Sequence, residues 1–157
     1  MKKLILLAVT ALLFSCNSSA QKKKENFEVT KTEAEWKEEL TAAEFNILGK
    51  AGTERPFSSE LNNIKEAGTF VCAACGNELY LTKHKFMSGT GWPSFDRPIE
   101  GSVAMGTDNK LGYQRNEVHC ARCGGHLGHV FDDGPTETTG KRHCINGDAM
   151  DFIPDEK

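Results

Sequence analysis

The chain has 157 residues, 26% of them charged and 38% hydrophobic, with a formal net charge of −3. That is enough for one domain and a leader, and the near-balance of charge leaves no basic surplus for a phosphate backbone. Nucleic acid is therefore not an expected partner, and a core of this size gains from a staple such as a metal.

Lys2 and Lys3 open the chain, and Leu4 to Phe14 follow as an apolar run of eleven residues. That suits a secretory signal and is too short for a permanent membrane span. Leu13-Phe14-Ser15-Cys16 resembles the lipobox of bacterial lipoproteins, in which the cysteine becomes the lipid-bearing N-terminus. The expected division is a signal peptide over 1–15, lipidated Cys16 and a flexible tether over 16–31, and a folded domain over 32–157. The tether is expected from the polar run Asn17 to Glu25. Such a protein sits in the bacterial cell envelope, anchored in a membrane by lipid and facing periplasm or exterior. A plain signal peptide with an incidental cysteine is the alternative.

Thr32-Glu33-Ala34-Glu35 reads as a capping box opening a helix with Trp36 and Leu40 on one side. Thr41-Ala42-Ala43-Glu44 repeats it, with Phe45 and Leu48 expected to face the core and Gly49 or Gly52 to end the second helix. After Pro56 the texture is β. Residues 69–72, 78–81, 110–113, 117–120 and 129–131 read as short strands between glycine-rich turns. The expected class is mainly β and antiparallel, with a short helical N-terminal cap.

Cys72 and Cys75 form one C-x-x-C-G turn, and Cys120 and Cys123 form another. Two such pairs are the ligand set of a tetrahedral zinc site, one ion per chain. The forty-four residues from Gly76 to His119 exceed a zinc ribbon's spacing, so the fold must bring the pairs together. Four thiolates saturate the ion and leave no position for a substrate. Disulfide pairing of the knuckles is the competing reading in an oxidising compartment. If Cys16 is lipidated, five cysteines remain, and four on zinc with one free is the simplest partition.

The remaining cysteine is Cys144, in Arg142-His143-Cys144-Ile145-Asn146. If 141–146 is a strand, Arg142 and Cys144 project together, a placement that favours the thiolate. A buried structural cysteine is the bland alternative. The run Gly124 to Pro135 carries His126 and His129 within reach of one site, with a carboxylate beyond. Histidine is the obvious proton donor near neutral pH, although a Gly/His loop also serves as a structural turn. Trp92, in Ser88-Gly-Thr-Gly-Trp-Pro-Ser-Phe95, is either a binding wall or a core anchor.

Taken in order, Glu54-Arg-Pro-Phe57, the two knuckles, Ser88–Phe95, Gly124–Pro135 and Arg142–Asn146 resemble methionine-R-sulfoxide reductase of the B type, over residues 32 to 154. The resemblance implies two antiparallel sheets (the β-tent, or Mss4-like, fold) with structural zinc away from the catalytic face. It implies that Cys144 attacks the sulfoxide sulfur and becomes a sulfenic acid. His129 matches the acid, with His126 beside it, and Asn146 a polar contact. Asp133 and Arg142 orient and charge-balance the cluster, and Trp92 holds the methyl group. The implied substrates are oxidised proteins or peptides, and the implied reductant is thioredoxin-like or a small thiol. The protein is expected to be a monomer.

The chain departs from that family at three places. Thr90 stands where many members carry a resolving cysteine, so an external thiol is expected to reduce Cys144 directly. His143 replaces an aromatic and is expected to alter the thiol's charge environment; Gly147 stands where Ser is common. Two other classes compete: a non-catalytic zinc-stabilised β-tent binding module, and a zinc hydrolase with His126, His129 and Cys144 as an open ligand set.

Overall fold

The computed structural model describes residues 27–156. The signal peptide, Cys16 and most of the tether lie outside the described residues. Two short helices come first, α1 (Glu33–Glu39) and α2 (Ala42–Leu48), and both capping boxes are formed. Ile47 and Leu48 are the buried residues of α2. Phe45, expected in the core, instead lies half-buried beneath the ammonium groups of Lys37 and Lys50. Residues 27–31, assigned to the tether by sequence, lie along the second knuckle. Val29 N–H donates to the Arg122 carbonyl at 3.0 Å, and Phe27 meets His119 edge-on.

Nine strands follow: β1 (Gly68–Cys72), β2 (Glu78–Leu81), β3 (Lys85–Phe86), β4 (Ser94–Phe95), β5 (Val103–Asp108), β6 (Arg115–Cys120), β7 (His126–Phe131), β8 (Arg142–Ile145) and β9 (Met150–Pro154). They form a three-stranded sheet in the order β2-β1-β9 and a six-stranded sheet in the order β3-β4-β8-β7-β6-β5. Every pairing is antiparallel. The strand expected over 110–113 is instead the β5–β6 turn. The Lys110 amide donates to Asp108 Oδ1 at 2.6 Å, and Gly112 takes φ +81°, a conformation that closes the chain on itself.

The core lies between the sheets. Tyr80 stacks on Phe95 at 4.3 Å between centroids, and Phe70 meets Phe95 edge-on at 5.0 Å, all three fully buried. Val118, Val130 and Ile145 supply the same face of the large sheet. Its other face is polar, and one irregularity determines what it carries. In a regular strand His126 and His129, three residues apart, would point to opposite sides. The β6–β7 register runs Val118↔Gly128 and then His119↔His126, so Leu127 is an extra residue. This bulge sends Leu127 into the core and returns His126 to the face of His129; the rings lie 5.4 Å apart. Gly128 is required there, because a Cβ would stand 2.1 Å from the Cys144 carbonyl oxygen.

Candidate active site

Strand register assembles the polar face. His129 pairs with Cys144, Phe131 with Arg142, and Ser94 with Cys144, so these side chains share one side of three adjacent strands. A pocket of about 120 Å3 opens above them. Cys144, His129, Phe131 and Gly128 line it together with Trp92, Asn146, Thr53 and Arg115. Trp92 is half-buried and fixed by its indole N–H to the Glu54 carbonyl at 3.3 Å.

Cys144 and Arg142 share a face, as the alternation of a strand predicts. Burial pushes the Cys144 thiol above its ordinary range, and this outweighs the Arg142 charge and the hydrogen bonds from Thr90 and Arg142, which pull it down. Arg142 thus favours the thiolate, as its place on the strand implies, but desolvation wins in the resting site. Arg142 is itself held by a two-pronged pair with Asp133, at 2.9 and 2.8 Å, and lies over Phe131. Thr90, in the position of the resolving cysteine, joins a hydroxyl chain through Ser88 Oγ (2.9 Å) to Ser94 Oγ (2.8 Å).

His126 is buried, with Nδ1 on Glu117 Oε1 at 2.6 Å and Nε2 without a protein partner. Burial holds its pKa below the usual value although Glu117 pulls it up. His129 places Nε2 against Asp108 Oδ2 at 2.5 Å. Asn146 is clamped: its Oδ1 accepts from the Glu54 amide at 3.1 Å, and its Nδ2 donates to the Leu127 carbonyl at 2.9 Å. Glu54 completes that corner by accepting from the Gly147 and Asp148 amides, each at 2.8 Å.

His143 is not beside the thiol. It is on the core face of β8, with Nδ1 3.2 Å from the Tyr80 hydroxyl, and burial lowers its pKa to about 4. It adds no charge to the site, contrary to expectation. Gly147 also has a reason: a Cβ there would stand 1.9 Å from Ser59 Oγ. Among the described residues, His126, His129 and Cys144 do not gather as a metal-ligand set.

The knuckles do gather. The Sγ atoms of Cys72, Cys75, Cys120 and Cys123 lie within 4.8 Å of one another, with Cys72–Cys123 at 3.8 Å and Cys75–Cys120 at 3.6 Å. A tetrahedron of ~2.3 Å Zn–S bonds has S–S edges of about 3.8 Å, so the four sulfurs fit zinc. No disulfide links the described cysteines. The ion these residues hold is structural: it ties β1 to β6 and to the turns that follow each.

Sequence reading missed Asp108, Arg115, Glu117 and Thr53. The available signal was Arg115-x-Glu117-x-His119, polar at alternate positions on β6.

Fold and site together define a class: a zinc-stapled, two-sheet β protein with, among the described residues, one cysteine outside the metal set, in a pocket with histidine and an aromatic wall. Residues 40–154 match the SelR domain. Relatives named peptide methionine sulfoxide reductase MsrB are similar over nearly their whole length. That of Chromohalobacter salexigens is 46% identical over 129 residues, covering 82% of this chain and 97% of the relative. That of Methanosarcina mazei is 50% identical over 129 residues (82% and 91%), and that of Agrobacterium fabrum 49% over 127 (80% and 93%). The chain belongs to the SelR-domain family of methionine sulfoxide reductases.

Proposed function

We propose that this protein reduces methionine-R-sulfoxide in proteins or peptides to methionine at the expense of a thiol. Family membership over nearly the whole domain carries the reading. The Cys144 thiolate attacks the sulfoxide sulfur, and the sulfoxide S–O bond breaks. Oxygen ends on Cys144 as a sulfenic acid, having taken one proton from His129. The cysteine sulfur loses two electrons and the sulfoxide sulfur gains them. Trp92 walls the place of the methyl group; His126 and Asn146 flank the reacting oxygen; Arg142, set by Asp133, balances the thiolate charge. What supports these roles is the strand face that His129, Cys144 and Arg142 share and the pocket that Cys144, His129, Trp92 and Asn146 line.

Among the described residues the only cysteine outside the zinc set is Cys144. The sulfenic acid is therefore reduced directly by an external thiol, thioredoxin-like or small. Peptide mapping of the oxidised enzyme should find no intramolecular disulfide at Cys144. The protein acts as a monomer, lipid-anchored through Cys16 in the cell envelope; Leu13-Phe14-Ser15-Cys16 after an apolar run supports the anchor. Labelled palmitate incorporated by the wild type and equally by Cys16→Ser would refute it.

The deciding experiment incubates zinc-loaded protein with a racemic methionine sulfoxide peptide and dithiothreitol and follows both epimers by chiral chromatography. Loss of the R epimer alone, abolished in Cys144→Ser, is expected. Folded protein that consumes neither epimer would favour the binding module.

A further inference from the structure

We propose that Asp108, itself held by Arg115, is the positioning residue of His129: it grips the imidazole at Nε2–H and leaves Nδ1–H as the proton donor to the sulfoxide oxygen. This inference rests on the reading of His129 as the acid.

The three residues come from three adjacent strands. Asp108 of β5 pairs with Arg115 of β6, and His129 of β7 pairs with Glu117, two residues along β6 from Arg115. All stand on the face that carries Cys144. Asp108 Oδ2 lies 2.5 Å from His129 Nε2 and 2.6 Å from an Arg115 guanidinium nitrogen. Its Oδ1 accepts the Lys110 amide at 2.6 Å. Both oxygens are thus committed and the carboxylate cannot turn away. The side chains of Asp108 and His129 are each 9% exposed and that of Arg115 15%.

A buried carboxylate is costly unless paired, and nothing in the core or the zinc site uses this one. Its partners are an arginine that lines the reaction pocket and the histidine beside the nucleophile. Burial alone would raise the Asp108 carboxyl, but the Lys110 amide, His129 and Arg115 hold it down at about 2, so it is an anion wherever the enzyme works.

The other charged groups near His129 are occupied elsewhere. Glu117, directly opposite on β6, holds His126. Arg142 on β8 is held by Asp133, and the Lys110 ammonium by the Lys50 and Ala51 carbonyls. Cys144 is the remaining group, and it is the nucleophile. Asp108 is the carboxylate in contact with the His129 ring. A carboxylate on one ring nitrogen fixes the tautomer and aim of the other.

The test uses the full, zinc-loaded chain with the R-sulfoxide peptide, following kcat and KM separately. Asp108→Asn is expected to lower kcat/KM roughly 10- to 100-fold, with kcat falling more than KM rises. Asp108→Glu recovers most of the loss. In a His129→Gln background Asp108→Asn adds less than about twofold, because residues that act as a unit are not additive. A KM rise that outweighs the fall in kcat, or a loss of equal size in the His129→Gln background, overturns the inference. A His129→Gln variant retaining most of its activity overturns the acid reading beneath it. Imidazole nitrogen NMR of the wild-type protein needs no variant: a His129 ring that is neutral with its proton on Nδ1 and none on Nε2 refutes the grip directly.

Discussion

The zinc corner and the reaction pocket use the same side chain to opposite ends. At the corner, four cysteines come from two turns that stay close to the chain's local geometry, and their sulfurs meet one another. In the pocket, Cys144 stands alone on a strand, its surroundings supplied by neighbours distant in sequence: His129, Ser94 and Thr90. A thiol among thiols is saturated by metal and inert. A solitary thiol, partly desolvated beside a guanidinium, is the one left to react. Position in the sheet, rather than residue type, divides structure from chemistry.

The sharpest way to break this division is to make each cysteine fail in turn. Cys120→Ser should lose zinc and with it folding free energy on the order of 10 kcal/mol, read by metal content and circular dichroism. Cys144→Ser should keep both and lose turnover below detection. A folded, zinc-loaded Cys120→Ser protein would show that the corner is not the staple.

The second way contrasts His129 with His143, one on each face of the large sheet. His143 is neutral in the fold, its pKa pushed down to about 4 by burial. An unfolded chain takes up that proton near pH 6.5. Between these values the unfolded state binds more protons, so stability present above pH 6.5 is lost as pH falls toward 4, by up to roughly 3 kcal/mol. His143→Phe should flatten that part of the urea-unfolding profile between pH 7 and 4.5 and leave the R-sulfoxide activity near that of the wild type. A large loss of turnover would place His143 in the chemistry after all.

The smallest effect tests the thiol itself. Burial holds the Cys144 pKa high and Arg142 opposes it. Arg142→Met should raise the pH midpoint of iodoacetamide alkylation further and lower kcat/KM by about tenfold, the worth of one charge-assisted hydrogen bond of ~1.5 kcal/mol. A midpoint that falls would mean that Arg142 does not support the thiolate.

Much of this was legible in the residues, and where it was not the reason is physical. Both helices follow from their capping boxes, because a cap is a contact three residues long. The zinc knuckles follow from C-x-x-C-G for the same reason. Arg142 and Cys144 share a side because strand alternation is local. The pairing of Asp108 with Arg115 had no such sign: they meet only once β5 and β6 pair through a turn that reads as a strand, Lys110 to Tyr113. Val103 to Asp108 also lacks alternation, so the strand carrying Asp108 was itself invisible. The site of His143 needed knowledge of which face of β8 meets Tyr80. Phe45 was placed inward by helical spacing, but the helix turns Ile47 and Leu48 to the core instead.

The extra residue in β7 makes distance along the chain matter as much as identity. His119 and His129 are separated by a count that includes one position with no cross-strand partner of its own. Shortening that count by one would leave every residue type in place, yet Leu127 would turn outward and His126 inward. In this chain the length of the segment therefore constrains the site more than most of its residue identities do. The H-x-x-H spacing is thus a ruler, and a gap opened or closed within it is a stronger mark of lost chemistry than most single replacements nearby.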